Sequence, residues 1–370
     1  MRCLSPSIPV LPLCVALFLC SGALLPTRAD VTIGGSARAV AMGGAGLASG
    51  AAEGGTALNP ALLAEATTQG IEWPTIDSHM NGQDYTDAFA LLGSPRLHAN
   101  TAFTFARDLG TQPDNMSASA RMGLMLVQSE LTADAALRVK ILPNDAYQQW
   151  ATAGGVMPAG AQADVVGVGL SDLPSIGLGL YLPSSSPSAG ALAIGLRLRR
   201  TQIYYSHYVV DAAALAAGRP SVGAEMLGRD SLRSTSFAAD LGFTYTPPTS
   251  QHFRMAFVVN NLVQPEKLAI ADPLPAFLPN GRQMAPRTFN LGTALVDQNV
   301  TFAADLCDLT NALGDGRQAR IGLELITAGG IALRGGYNSS FGLTYGLGWN
   351  GFGIAFTRQM PVLISQTMNF

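Results

Sequence analysis

Residues 317–370 alternate between bulky apolar and small or polar side chains, and this period of two constrains the fold more than any other feature. From Gly342 to Trp349, leucine, tyrosine and tryptophan alternate with threonine and glycine. Such alternation is typical of a β-strand with one apolar and one polar face. It recurs in five consecutive runs, which are Arg320–Ile326, Gly330–Tyr337, Gly342–Trp349, Phe352–Arg358 and Val362–Phe370.

The connections between these runs are short, and the polar face is unusual. Asn350-Gly351 favours a two-residue type I′ hairpin, which predicts an antiparallel meander. The polar face is mostly Gly, Ala and Thr, whereas a soluble sheet would carry many charges there. A transmembrane barrel has small or polar residues inside and apolar residues toward lipid. The sequence therefore predicts an all-β, antiparallel transmembrane β-barrel, with a soluble exported β-sandwich as the alternative.

Residues 1–29 have the features of a secretory signal peptide. Arg2 gives a positive start, an apolar stretch follows, and Thr27-Arg28-Ala29 places small residues where a signal peptidase reads them. Without this segment the chain has 20 basic and 25 acidic residues, a net charge of −5 that argues against nucleic acid as a partner. Cys307 is then the single cysteine, so no internal disulfide is expected.

The segment 30–67 is rich in glycine and alanine but also contains regularly placed apolar residues. Ser36 is a candidate N-cap for a short helix that ends at Gly43-Gly44. Asn59-Pro60-Ala61 predicts a turn that leads into a second short helical piece. Small side chains of this kind permit close approach to another backbone.

Two motifs in this segment resemble the N-terminal signature of the FadL-type and the PorV- and TraF-like outer-membrane barrels. Ser36–Ala48 resembles their Ala-Arg-Ala-x-x-Met-Gly-Gly-Ala motif, and Asn59–Leu63 resembles the Asn-Pro-Ala and Leu that follow it. Gly50–Thr56 departs from the family, since it has one acidic and no aromatic residue. The motif positions are Arg38, Met42, Gly43, Gly44, Asn59, Pro60 and Ala61.

The resemblance implies a barrel of about 14 strands, within roughly 12 to 16, whose N-terminal segment folds inward as a plug with short helices. The predicted domains are a signal peptide (1–29), a plug (30–67) and a barrel (68–370). Other candidate strands precede the C-terminal runs. They are Ile71–Ile76, Asp87–Leu92, Thr101–Arg107, Arg121–Gln128, Leu137–Leu142, Val166–Leu170, Ile176–Leu182, Leu192–Tyr205, Ser236–Thr246, Phe253–Asn261, Thr288–Val296 and Thr301–Leu309.

Seven charged residues in the candidate strands alternate with apolar positions and are predicted to face the lumen. A basic group facing lipid near the midplane would cost about 2–4 kcal/mol. These charges either line a polar path and hold the plug, or pair with one another as structural charges. They are Arg197, Arg199, Asp240, Asp305, Arg320, Glu324 and Arg334.

Neither catalysis nor a cofactor is predicted. The four histidines are scattered and belong to no nucleophile motif, and no metal-ligand spacing occurs. The glycine-rich segment lacks the Lys-Ser/Thr ending of a phosphate loop.

The resemblance leaves two functions open. A FadL-like channel would pass small hydrophobic solutes across the outer membrane through a plugged lumen. A PorV- or TraF-like barrel would be a non-transporting docking or assembly component of a secretion or conjugation system. We favour the channel, because a plugged lumen needs a function.

The expected location is the bacterial outer membrane, and both chain termini are expected in the periplasm. Phe370 resembles the terminal aromatic residue that the barrel-assembly machinery recognises. The partners expected are therefore outer-membrane lipid and this machinery, together with a hydrophobic ligand or a secretion-system component.

Overall fold

The computed structural model describes residues 36–50, 55–65, 70–77, 114–124, 127–153, 158–182, 189–211, 232–265, 285–313, 316–340, 342–357 and 363–369. The predicted signal peptide, the candidate strands Asp87–Leu92 and Thr101–Arg107, and Phe370 lie outside these ranges. The described ranges contain fourteen strands. They are β1 Gly70–Asp77, β2 Asp114–Leu124, β3 Val127–Pro143, β4 Gln162–Leu182, β5 Ala191–Asp211, β6 Leu232–Thr246, β7 Phe253–Val263, β8 Thr288–Val296, β9 Val300–Cys307, β10 Gln318–Ile326, β11 Ile331–Asn338, β12 Gly342–Trp349, β13 Phe352–Thr357 and β14 Leu363–Asn369.

These strands close into a barrel. Each strand pairs antiparallel with its neighbours along the chain, and β1 pairs with β14, where Gly70 lies opposite Asn369. Closure leaves no unpaired edge among the fourteen described strands, as a sheet in lipid requires. The predicted antiparallel transmembrane barrel and its approximate strand number are confirmed.

The two faces of the wall differ in the predicted sense. In β9 and β13 every second residue is buried, and the residues between them are exposed or half-buried. The outward positions are large and apolar, for example Phe237, which is 74% exposed, and Trp349, which is 63% exposed. Such a surface fits lipid. None of the helices in the described ranges is long and apolar enough to cross a membrane.

The connections at the two ends of the barrel differ in length. The short-turn end carries the hairpins after β2, β4, β6, β8, β10 and β12, and also the first residue of β1 and the last of β14. There Asn350 and Gly351 have φ values of 53° and 82°, so the predicted type I′ turn is confirmed. The opposite, long-loop end carries the longer connections, including residues 78–113 and 212–231.

Strand lengths are uneven around the wall, and this corrects two predictions. The runs Val166–Leu170 and Ile176–Leu182 form one strand, β4, of 21 residues. A register shift between Asp172 and Ser175 accommodates Pro174, because a bulge tolerates a residue without an N–H. Leu137–Leu142 is likewise only part of the 17-residue β3.

The predicted strand Arg121–Gln128 was wrong. The chain turns within it, since β2 ends at Leu124 and β3 begins at Val127. Residues 124–127 form a continuous apolar run without a glycine–asparagine turn signal, so the sequence pattern did not mark the turn. The β3–β4 connection also contains a helix, α3 (Asp145–Ala153). The side chain of Asn144 caps it, accepting from the Tyr147 N–H at 2.9 Å.

Candidate functional site: an occupied lumen

Residues 36–50 and 55–65, here called the inner segment, lie inside the barrel. They comprise helix α1 (Ala37–Ala41), helix α2 (Gly55–Leu58) and a 3₁₀ helix (Pro60–Glu65). Their contacts are with inward-facing residues of strands that range from β4 to β14, on opposite sides of the barrel. Only a position within the lumen reaches all of these strands through the same face.

The first half of the inner segment has the predicted local structure. Ser36 caps α1, its hydroxyl accepting from the Ala39 N–H at 3.1 Å. Met42 ends the helix, and Gly43 and Gly44 follow with φ values of +70° and +77°. Glycine adopts this left-handed region without a steric penalty, so the predicted cap and helix end are both confirmed.

Asn59 joins the two halves of the inner segment. Its side-chain oxygen accepts from the Ala61 N–H at 2.9 Å, which forms the turn before the 3₁₀ helix. Its side-chain nitrogen donates to the Leu47 carbonyl at 2.8 Å. Because the same nitrogen also donates to the Phe243 carbonyl of β6 at 3.4 Å, this one amide connects both halves to the wall.

A buried charge triad anchors α1 to β10 and β11. The Glu324 carboxylate accepts from Arg38 at 3.0–3.1 Å and from Arg334 at 2.6 Å. Arg38 also donates to the Ser49 hydroxyl at 3.2 Å. All three charged side chains are at most 6% exposed, so these are charge-assisted bonds shielded from water.

A second charged pair binds the residues that follow α1. The Asp305 carboxylate on β9 accepts from the N–H groups of Gly46 and Leu47 at 2.6 and 3.0 Å. Arg320 on β10 donates to the Gly44 carbonyl at 3.3 Å. Both charges therefore contact backbone groups of the inner segment.

The third site lies on β5. Arg197 donates to the carbonyls of Thr56 and Ala57 at 2.6 and 3.1 Å, at the end of α2 where carbonyls lack helical partners. Two residues along β5, Arg199 is bonded within the wall instead. It donates to Asp172 at 2.7 Å and to Asp240 at 2.9 Å.

Three of the charged pairs on the wall lie directly opposite each other in strand register. They are Arg197 with Asp240, Asp305 with Arg320, and Glu324 with Arg334. In each pair, at least one member bonds to the inner segment. Each wall charge that bonds to the inner segment therefore has a second possible partner, which is the opposite charge on the neighbouring strand.

The end of the 3₁₀ helix is bound by residues that the sequence reading did not select. Glu65 accepts from Arg254 on β7 and, at 3.1 Å, from the Thr244 hydroxyl on β6. Burial raises the pKa of Glu65 above its ordinary value, and the Arg254 charge lowers it by a smaller amount. Arg254 lies between Phe253 and Met255, so its alternation in β7 was the signal that could have identified it.

Wall glycines let the backbone of the inner segment approach closely. Gly179, Gly195 and Gly242 lie side by side in register on β4, β5 and β6. A Cβ on any of them would collide with residues 59–64 of the inner segment. A Cβ on Gly322 of β10 would lie 2.6 Å from Met42, so a second contact of this kind lies on the opposite side.

The inner segment also has an apolar contact surface. Leu47 and Ala48 pack with Val258 of β7, Ala294 of β8 and Ala303 of β9 in one buried cluster. All of these residues are at most 5% exposed. The side-chain contacts of this cluster are apolar, so an apolar molecule could take the place of the Leu47 side chain, whereas the Leu47 N–H is bonded to Asp305.

The structure brings together most of the residues that the sequence indicated. Six of the seven predicted lumen charges are buried, and the side chain of Arg199 is 12% exposed. All seven positions of the N-terminal motif are buried in the inner segment. Residues that the sequence reading missed are Glu65, Asp172, Arg254 and Asn261.

No group of three or more metal-ligating side chains occurs within the described residues. His252 lies exposed in a turn, 3.7 Å from Asp297. The site is thus defined by the contact between a chain segment and the wall that surrounds it.

Fold and site together define a class, which is a closed transmembrane barrel whose lumen contains the N-terminal part of the chain. No family model matches the sequence, and no curated protein matches it. The fold, however, is similar to solved structures of TodX. The toluene transporter TodX of Pseudomonas putida aligns with a TM-score of 0.51 at 13% identity, over 92% of this chain and 99% of that one.

Two TodX variants described as a monoaromatic hydrocarbon channel give the same result. The deltaS2S3 mutant aligns with a TM-score of 0.52 at 12% identity, over 90% of this chain and 99% of the other. The deltaS2 mutant aligns with a TM-score of 0.50 at 13% identity, over 92% and 98%. At these identities the likeness concerns the fold alone.

Proposed function

We propose that this protein is a bacterial outer-membrane channel for small hydrophobic solutes, with the inner segment as its plug. The observation that carries the proposal is the lumen occupied by a segment that contacts the wall through separable surfaces. The fold shared with hydrocarbon channels supports the same reading. In this placement, the short-turn end faces the periplasm.

Displacement of the plug is made easier by the wall charges. If the segment leaves, Asp305 and Arg320 lose their partners on it, but each still faces the other in register. Re-pairing across the strands avoids leaving uncompensated buried charges, which would oppose movement by several kcal/mol. The wall residues of the apolar cluster, Val258, Ala294 and Ala303, would then accept an apolar solute in place of Leu47 and Ala48.

The decisive experiment locks the plug to the wall. A Cβ on Gly353 of β13 would lie 3.0 Å from the Cβ of Ala37, near the roughly 3.5–4.5 Å of a disulfide. The variant Ala37→Cys/Gly353→Cys, in a Cys307→Ala background, is reconstituted into vesicles. We expect toluene and long-chain fatty acid entry to be low when oxidised and restored by reductant.

The two single-cysteine variants are the controls. Their transport rates are expected to be the same with and without reductant. Equal transport by the locked and reduced forms would contradict plug movement. A deletion strain separates the channel from a docking role. Normal uptake of fatty acids and aromatics in that strain, together with a stoichiometric envelope partner, would contradict the channel and favour the docking component.

A further inference from the structure

We propose that three outward-facing arginines at the long-loop edge of the apolar band bind the phosphate groups of lipopolysaccharide in the outer leaflet. The three, here called the arginine belt, are Arg200 on β5, Arg287 before β8 and Arg317 before β10. All three are exposed. Each occupies the same alternate positions as the lipid-facing residues of its strand, such as Leu198 on β5 and Leu291 on β8.

The three arginines lie at the same height. Each is nine residues from the short-turn end of its strand, at Ala191, Val296 or Ile326. Nine residues span roughly 30 Å along a strand, or a height of roughly 21–25 Å at the usual tilt. An apolar band is about 25 Å tall, so the belt lies where lipid headgroups begin.

The guanidinium groups of the belt are available to an external anion. Arg287 donates to the Leu262 carbonyl at 2.6 Å, and Arg317 donates to the Leu309 carbonyl at 3.0 Å. These bonds to backbone orient the side chains without neutralising them. Among the described residues, no carboxylate lies within ion-pair distance of Arg200, Arg287 or Arg317.

Charge is distributed unequally between the two ends of the barrel. Where exposure is described, the exposed Asp, Glu, Lys, Arg and His side chains at the short-turn end are Asp297 and His252. The long-loop end carries the three arginines, Arg233 further out on β6, and one exposed carboxylate, Asp145 of α3, so basic side chains are in excess there among those whose exposure is described. The positive field at the long-loop end favours anions at the membrane surface on that side.

The location of the belt selects lipid over a soluble acidic partner. Phe237 is 74% exposed and lies directly opposite Arg200 in strand register, on the same outward face. Aromatic and basic side chains together mark a membrane interface, where the apolar ring lies in acyl chains and the charge meets headgroups. The guanidinium fork matches phosphate in geometry as well as in charge.

The test uses the purified full-length barrel in mild detergent, with bisphosphorylated lipid A as the probe and its dephosphorylated form beside it. The variant Arg200→Gln/Arg287→Gln/Arg317→Gln is expected to bind the bisphosphorylated lipid roughly 100-fold more weakly, at about fivefold per arginine. The corresponding triple Lys variant retains the charges and is expected to keep most of the affinity. Heat-modifiable gel mobility shows that each variant is folded.

Two results would overturn the proposal. One is equal binding of the phosphorylated lipid by wild type and the triple Gln variant. The other is displacement of the lipid by inorganic phosphate at millimolar concentration, which would make a free anion the ligand. The inference rests on the proposed membrane placement but not on transport, so a barrel that binds the lipid and passes no solute would contradict only the channel.

Discussion

Arg320 and Asp305 lie directly opposite each other on β10 and β9, yet both bond to the inner segment instead of to each other. Asp305 is 5% exposed, and one of its carboxylate oxygens is buried without a hydrogen-bond partner. The Nε atom of Arg320 is also buried without a hydrogen-bond partner. This pair therefore retains bonding capacity for a second arrangement in which the inner segment is absent.

We expect Asp305→Asn to weaken the contact between plug and wall. The neutral side chain loses the charge that two amide N–H groups share, which costs about 1.5–3 kcal/mol in the free energy of unfolding. Urea unfolding in vesicles measures the loss. The double variant Asp305→Asn/Arg320→Gln should lose less stability than the sum of the two single variants. Each single variant leaves one buried charge uncompensated, whereas the double variant has neither charge.

The control is Asp297→Asn, at a turn where the side chain is 63% exposed. It should change stability by no more than about 0.5 kcal/mol. Strict additivity of the Asp305 and Arg320 variants would contradict a coupling between the two residues.

Gly195→Ala tests the close contact between plug and wall. A Cβ there would overlap Pro60 and Ala61, so the 3₁₀ helix must shift, at a cost of about 1–3 kcal/mol. Limited proteolysis should then cut the inner segment faster than in wild type. Gly335→Ala on β11 is the matched control, because the nearest atom lies 4.0 Å from its added Cβ. Equal protection of both variants would refute the close contact.

The sequence predicts the barrel well because alternation is a property of each strand by itself. In β10 the order Arg320, Ile321, Gly322 already assigns each side chain to a face, and the structure agrees. Strand ends depend instead on pairing with neighbours. Residues 171–175 therefore lie between two predicted strands, although the paired strands on both sides continue past them.

The sequence identified most residues of the site but not which of them bond to each other. Alternation identified Arg197 and Arg199 as lumen charges, two residues apart on β5. It could not reveal that Arg197 binds the inner segment while Arg199 binds Asp172 and Asp240. That difference depends on which residues lie opposite across β4 and β6, and sequence distance does not encode it.

The pH dependence of stability should report on Glu65. Because its pKa is raised in the folded protein, its contribution is fully present below the ordinary value near 4.5 and declines as pH rises through the folded pKa. Wild type should thus lose thermal stability relative to Glu65→Gln between mildly acidic and neutral pH. The midpoints of both proteins, measured in parallel against pH, give the comparison. A gain by wild type over this range would mean that the Arg254 charge outweighs burial.

Substitutions on the outer face test whether the wall contacts lipid. Leu323 lies near the middle of β10 and is 41% exposed, whereas Ile331 begins β11 at the short-turn end and is 45% exposed. Arginine costs about 2–4 kcal/mol at the bilayer midplane and about 0–1 kcal/mol near the interface. Leu323→Arg should therefore destabilise the barrel in vesicles far more than Ile331→Arg, although the two residues have similar exposure. Unfolding free energies in lipid measure the difference, and equal losses would contradict a membrane-spanning wall.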